Sequence, residues 1–325
     1  MAVPIIKRVL TATDFSDSAN QALDYAGFFA KTFSVPLDIL HVTELLPDMD
    51  AADVEADVYF TERRKMAQGS LEELVEHSAA AGVVTRFKHR LGIPSQEITK
   101  TAAECGVDLV VLGSQGRSGL ADIALGSTAD RVVRGASCPV VTVRALPEYG
   151  RCAGDRSKKT PPAIHHILAP VDFSKCSLEA LDYAALLAAQ FRADLTVVHV
   201  LQPIYYNLEL GSGQVMDEPA KRERAEERLT DLAGRLAPAG VTVKTHIRGG
   251  VACDSILAAA SHITADLIVM GTHGRRTWTK SYSGSVAEAV LRQAPCPVLT
   301  LRSLPAGDYP RLVSALESTG SNGST

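Results

Sequence analysis

The chain has 325 residues, 46% apolar and 22% charged, with a formal net charge of −4, which is ordinary for a globular protein and gives length for two domains of about 150 residues. No dense basic stripe favours a nucleic-acid backbone, and no apolar run approaches the roughly 18 residues of a membrane span, so both are set aside as partners. The start, Met1 to Arg8, lacks the long apolar region of a secretory signal, so the cytoplasm is the expected location.

In chain order, residues 9–13 read as a strand, and Ala19, Ala22, Leu23, Ala26, Phe29, Ala30 and Phe33 fall on one helical face. Residues 36–42 read as a second strand. An Asp-rich stretch leads to a long helix over 62–80, closed by Gly82. A strand over 83–89, a helix over 94–104 and a strand over 108–112 follow. After a glycine-containing loop come a helix over 127–134 and a last strand over 140–143. Residues 144–163, with Gly150, Gly154, Lys158-Lys159 and Pro161-Pro162, interrupt the pattern and read as an exposed linker.

The same order then repeats. Gly113-x2-Gly116-x9-Gly126-Ser127 recurs as Gly271-x2-Gly274-x9-Gly284-Ser285, a shift of 158 positions (271 − 113). The shift also relates Asp14 to Asp172, Ala22-Leu-Asp-Tyr-Ala26 to Ala180-Leu-Asp-Tyr-Ala184, His41-Val42 to His199-Val200, and Cys138-Pro-Val140 to Cys296-Pro-Val298. A period of this length marks a duplicated domain rather than a solenoid. The expected boundaries are 5–145 for the first domain, 146–163 for the linker, 164–302 for the second domain and 303–325 for a tail. The tail has room for one short helix around 312–317 before a disordered end.

Strands such as Leu109-Val-Val-Leu112 and Leu267-Ile-Val-Met270 are apolar on both faces, as in a parallel sheet covered by helices on each side. Each domain is therefore expected to be an α/β unit with a five-stranded sheet, binding its ligand at the carboxyl ends of the strands where strand order reverses. The six cysteines, at 105, 138, 152, 176, 253 and 296, show no paired spacing for zinc, and the adjacent His165-His166 would point to opposite faces of a strand. No metal site is expected from them.

Gly113 directly follows a buried strand and Gly126-Ser127 directly precedes a helix. A helix start offers unpaired N–H groups and a partial positive charge, which suit a phosphate. Glycines at 113 and 116 would let the backbone turn and approach a ligand without a Cβ in the way. Ser127 and Ser285 could cap their helices or donate to a phosphate oxygen. The plain alternative is turn and cap chemistry alone, and two copies with identical spacing argue for the ligand. Both copies also place an acid at the end of the first strand, in Asp14-Phe-Ser16 and Asp172-Phe-Ser174.

This combination resembles the universal stress protein family, in its tandem-domain nucleotide-binding form, over nearly the whole chain. The resemblance implies a Rossmann-like (adenine nucleotide alpha hydrolase-like) fold of strand order 3-2-1-4-5, with ATP, alone or with Mg²⁺, at each motif. Carried over by position, Asp14 and Asp172 would meet the adenosine portion, and Val42 and Val200 would hold adenine through the backbone. Gly113, Gly116, Arg117, Gly126, Ser127 and Thr128 would surround the phosphates in the first half. Gly271, Gly274, Arg275, Gly284, Ser285 and Val286 would do so in the second. The neighbours Thr13, Ser114, Val171 and Thr272 complete the two sites. Both arginines have an alternative as solvated loop residues. The resemblance further implies pairing of the halves through their last strands, as an internal pseudo-dimer, and leaves a homodimer open.

The two loops differ: Leu120, Ile123 and Leu125 align with Trp278, Ser281 and Ser283, and Gln115 aligns with His273. Unequal affinities are expected. No G-x4-G-K-[ST] sequence is present, and Gly211-Ser-Gly213 lacks the third glycine of a dinucleotide fingerprint. The expected function is an ATP-dependent sensor or regulator in a stress response, acting through an unknown protein partner. A slow ATPase or phosphate donor using the same sites is the enzymatic alternative, and an interaction module without nucleotide is the third.

Overall fold

The computed structural model describes residues 5–44, 61–74 except 63, 64, 66, 67 and 73, then 82–116, 125–144, 162–202, 218–236, 241–273 and 285–302. The chain divides into two compact units, Pro4–Ala163 and Ile164–Thr325. The N-terminal unit contains β1 (Val9–Ala12), α1 (Asp17–Phe33), β2 (Leu37–Thr43), β3 (Thr85–Leu91), α2 (Pro94–Glu104), β4 (Leu109–Gly113), α3 (Ser127–Gly135) and β5 (Val140–Val143). The C-terminal unit contains β6 (His166–Pro170), α4 (Lys175–Phe191), β7 (Asp194–Leu201), α5 (Glu218–Leu236), β8 (Val243–Gly249), α6 (Ala252–His262), β9 (Leu267–Gly271), α7 (Ser285–Gln293) and β10 (Val298–Leu301), the same order with α5 between the second and third strands.

Within the N-terminal unit the strand order is β3-β2-β1-β4-β5, and within the C-terminal unit it is β8-β7-β6-β9-β10. The pairs within each unit are parallel. This is the expected 3-2-1-4-5 order in both. β1 is paired to β2 on one side and β4 on the other, so the chain reverses its direction of travel across the sheet between β1 and β4. The carboxyl ends of those two strands frame the crevice where such sheets take ligands.

The core forms because both faces of the central strands are apolar. Val9, Leu10, Leu37, Ile39, Leu109, Val110 and Val111 are fully buried, and α1 lays Ala22, Ala26 and Phe29 against them, also at 0% exposure. Small alanines let this helix lie close to the sheet, and its predicted apolar face is the buried one, with Phe33 half-buried at the end. Each first helix closes on a non-glycine residue in the left-handed region, Ser34 and Arg192, both at φ 55°.

Most boundaries agree with the sequence to within a residue. β3 is the exception, running over Thr85–Leu91 instead of 83–89. Val83 and Val84 drew the expectation forward, but pairing starts at Leu37↔Thr85 and ends at Thr43↔Leu91 because β2 sets the ladder. Val83 is instead buried ahead of the strand. Of the helix expected over 62–80, residues 62, 65, 68–72 and 74 are helical, as is 61 just before it, and the rest lie outside the described residues. The linker, apart from 144, 162 and 163, and the tail with its helix around 312–317 also lie outside them, as does Gly211-Ser-Gly213. No helix among the described residues is long and apolar enough to cross a membrane.

Candidate functional site

The acidic turn after β1 is built by its own side chains. Phe15 takes a left-handed φ of 64°, and its N–H donates to Thr13 Oγ1 at 3.0 Å. The Ser16 N–H donates to Asp14 Oδ1 at 3.0 Å, an Asx turn, and the Ala19 N–H donates to Ser16 Oγ at 3.2 Å. Ser16 is therefore the N-cap of α1, and Asp14 orients the turn with one oxygen. The C-terminal unit repeats this: Phe173 has φ 62°, Ser174 N–H donates to Asp172 Oδ1 at 2.9 Å, and Ser174 caps α4.

His41 ties the turn to the neighbouring strand. Its Nδ1 lies 2.8 Å from the Thr13 carbonyl; a carbonyl can only accept, so Nδ1 carries the proton. The ring packs against Phe15 at 4.8 Å between centroids and against His89 at 5.7 Å. His199 repeats the strut, with Nδ1 2.7 Å from the Val171 carbonyl and its ring 4.6 Å from Phe173. In this unit the guanidinium of Arg228, on α5, covers the Phe173 ring at 3.8 Å.

The described glycines with positive φ are Gly82, Gly92, Gly106 and Gly250, none of them in the motif, so the described motif glycines are not there for left-handed backbone; the space around them is what their missing Cβ serves. A Cβ on Gly113 would lie 2.6 Å from Ser18 Oγ, 2.8 Å from Ser18 C and 2.9 Å from Ala19 N. The glycine thus lets the first turn of α1 rest on the end of β4. A Cβ on Gly116 would meet Asp14 Oδ2 at 3.0 Å, and one on Gly126 would meet the Ser114 carbonyl at 3.2 Å. The loop is pinned at its ends: Ser114 N–H donates to the Val143 carbonyl and Gly126 N–H to the Ser114 carbonyl, both at 2.7 Å.

Gly126 is the N-cap of α3, and among the described residues no side chain caps that helix. Of the two roles expected for Ser127, cap or phosphate donor, the cap position falls to Gly126, and Ser127 is the first helical residue. The first-turn N–H groups are left for a ligand, with the helix dipole behind them.

Together these elements enclose a cleft of about 510 Å³ at the carboxyl ends of β1, β2 and β4, a size suited to a small-molecule ligand. Thr13, Asp14, Val42, Gly113, Ser114, Gly116, Gly126, Ser127 and Thr128 all line it. His41, Glu44, Pro94, Ile98 and Gln115 line it too and were not among the expected site residues. Pro94 and Ile98 come from α2, whose apolar face reads in sequence as ordinary core. Among the described residues no group of three or more His, Cys, Asp or Glu could hold a metal.

In the C-terminal unit Val171 and Asp172 follow β6, Val200 lies in β7, and Gly271 and Thr272 lie at the end of β9. Ser285 and Val286 open α7. Arg117, Gly274, Arg275 and Gly284 lie outside the described residues, as do Leu120, Ile123, Trp278, Ser281 and Ser283. A Cβ on Gly271 would meet Cys176 Sγ at 2.7 Å, so Cys176 stands where the first unit has Ser18. Ser18 Oγ donates to the Val143 carbonyl at 3.2 Å and accepts from Gln115 N–H at 3.4 Å. Cys176 Sγ donates to the Leu301 carbonyl at 3.4 Å, and burial pushes its thiol up. His273 Nδ1 lies 2.8 Å from Thr272 Oγ1; burial, then the Arg302 charge, holds its pKa below the usual histidine value.

Two α/β units with parallel strands, each with an Asx-held acidic turn at the point of strand reversal, and in the first a glycine loop beside it, define a tandem protein of the Rossmann-like class. The chain belongs to the universal stress protein family: the sequence profile described as "Universal stress protein family" matches residues 6–144 and 163–302. A universal stress protein of Mycobacterium bovis is 26% identical over 304 residues, covering 90% of this chain and 96% of the relative. One from Methanocaldococcus jannaschii is 35% identical over 138 residues, covering 42% of this chain and 81% of its own length. Among solved structures, a universal stress protein from Archaeoglobus fulgidus superposes with a TM-score of 0.66 at 26% identity, covering 91% of this chain and 96% of that one.

Proposed function

We propose that the protein binds ATP and acts as a nucleotide-dependent sensor or regulator in a stress response, its conformation or partners set by the bound nucleotide. The observation that carries this reading is the uncapped start of α3 opening onto a cleft whose lining includes nine of the ten residues expected in the first site. In this reading the first-turn N–H groups at Ser127 and Thr128 hold phosphate oxygens, the backbone at Val42 holds adenine, and Asp14, its Oδ1 engaged by Ser16, offers Oδ2 to the ribose hydroxyls. The second unit binds through Asp172, Val200, Gly271, Thr272 and the start of α7. Mg²⁺, where it accompanies ATP, supplies charge neutralisation at the phosphates.

A cytoplasmic location, pairing of the two halves through their last strands and association of two chains belong to the same proposal. Cross-linking and molecular mass in solution test the last two.

The deciding experiment extracts nucleotide from freshly purified protein, quantifies it per chain by chromatography, and follows added ATP with Mg²⁺ over hours. Intact bound ATP is the expected result. Progressive ADP would make the protein a slow ATPase. No nucleotide, together with no calorimetric binding of added ATP, would overturn the proposal in favour of a nucleotide-free interaction module.

A further inference from the structure

Cys105 and Lys88 lie outside the cleft described above. Cys105 is the C-cap of α2, its N–H donating to the Thr101 carbonyl at 3.0 Å and its own carbonyl accepting from Arg8 Nη1 at 2.8 Å. These bonds fix the backbone that carries the thiol, which is in no disulfide and is half-buried. Lys88, from β3, brings its Nζ to 2.7 Å from Cys105 Sγ. That separation is typical of a nitrogen–oxygen hydrogen bond, whereas the larger radius of sulfur normally holds a donor nitrogen several tenths of an ångström further out. It is also about the span that one oxygen atom bonded to both nitrogen and sulfur would set.

A second group points to the same place. Asp38, 1% exposed, lies 3.3 Å from Lys88 Nζ through Oδ2, yet neither of its oxygens is in a hydrogen bond among the described residues. The ammonium ion-pairs with the buried carboxylate and, having three N–H donors, meets the sulfur at the same time. Hydrogen bonding to Cys105, with the Asp38 charge, holds the Lys88 pKa above the usual lysine value against desolvation. The fold does not demand this cluster: the equivalent positions of the C-terminal unit, 158 further on, carry Thr196, His246 and Ile263, with Asp38↔Arg86 matched by Thr196↔Lys244 in register.

We propose that Lys88 and Cys105 form an oxidation-dependent covalent crosslink through a single oxygen, Nζ–O–Sγ, which fastens the end of α2 to β3 in the N-terminal unit. With hydrogen peroxide as oxidant the balance is complete: the ammonium, the thiol and two peroxides give the bridge, three waters and one proton. One N–O and one O–S bond form, two N–H bonds, the S–H bond and both O–O bonds break, and four electrons pass from nitrogen and sulfur to the peroxides. Two equivalents of a dithiol reverse it, returning amine, thiol and one water. Thiols otherwise climb to sulfenic and sulfinic acids under the same oxidant, so the bridge is chemically distinguishable.

The test treats the full-length protein with hydrogen peroxide, blocks free thiols with N-ethylmaleimide, digests with trypsin without reductant and reads the peptides by tandem mass spectrometry. The expected product is one linked species carrying Lys88 and Cys105, uncleaved after Lys88, with one oxygen gained and two hydrogens lost relative to the separate peptides. Dithiothreitol should restore cleavage at Lys88 and alkylation of Cys105. Lys88→Arg, which keeps a cation beside Asp38, and Cys105→Ser should both abolish the species. The proposal is overturned if peroxide leaves Cys105 alkylated to the same extent, if it yields only sulfenic or sulfinic Cys105 with Lys88 still cleaved, or if the linked mass lacks the oxygen. The wild-type spectrum decides this even if a variant fails to fold.

Discussion

Asp14 Oδ2 stands 3.0 Å from the place a Cβ on Gly116 would occupy. The acidic turn and the glycine loop are thus in contact distance at the mouth of the cleft, and the motif's second glycine is explained by the first strand's acid. Oδ1 of the same carboxylate is committed to the Ser16 N–H, so Asp14 cannot rotate away without loosening the start of α1.

Gly116→Ala is therefore expected to weaken ATP binding in the N-terminal unit about tenfold, the effect of roughly 1.4 kcal/mol, while leaving thermal stability nearly unchanged because the position is exposed. Calorimetric titration and a melting curve of the same variant check the two halves of the prediction. Unchanged affinity would show that the contact is relieved without disturbing the site.

Gly113→Ala should behave differently, since its Cβ meets backbone at 2.8 and 2.9 Å as well as the Ser18 hydroxyl at 2.6 Å. A loss of about 1–3 kcal/mol of unfolding free energy is expected from overpacking, read by denaturant titration. Adding Ser18→Ala should not restore it, because Ser18 C and Ala19 N remain in the way. Gly271→Ala should destabilise through Cys176, whose Sγ would lie at 2.7 Å and whose backbone C and O at 3.0 Å.

The parallel sheet was legible because Leu109-Val-Val-Leu112 and its copy are apolar on both faces, and α1 because Ala22, Ala26 and Phe29 keep a helical period. β3 was misplaced by two residues because its own pattern, TRFKHRL, is polar and its position is imposed by β2. The site's glycines were found from their spacing, but the reason for Gly113 was not, since the neighbour that excludes a Cβ is Ser18, far away in sequence. His41 and Ile98 reach the cleft from separate elements, and no local pattern distinguishes Ile98 from core.

Cys138 and Cys296 carry a prediction at high pH. Burial first, then the nearby charge of Asp108 or Asp266, pushes each thiol from 9.0 up to about 12. The folded chain keeps protons that the unfolded chain has lost, so their contribution to stability is fully present below pH 9 and is lost as pH rises through about 12. Unfolding free energy measured across that window should fall less steeply in the Cys138→Ala, Cys296→Ala double variant. Equal slopes would remove these thiols from the account.

The two units should also bind ATP unequally, because His273 stands in the second loop where Gln115 stands in the first. Burial keeps His273 neutral below its usual pKa of 6.5, and a bound phosphate would favour its protonation. Binding in the C-terminal unit should therefore strengthen relative to the N-terminal unit as pH falls through the range in which His273 takes up its proton. The folded chain itself loses stability over that range, since the unfolded histidine binds its proton first, so titrations belong above the acid transition. His273→Gln, which copies the first loop, should remove the pH dependence. Two equivalent, pH-independent sites in the wild-type protein would defeat this prediction.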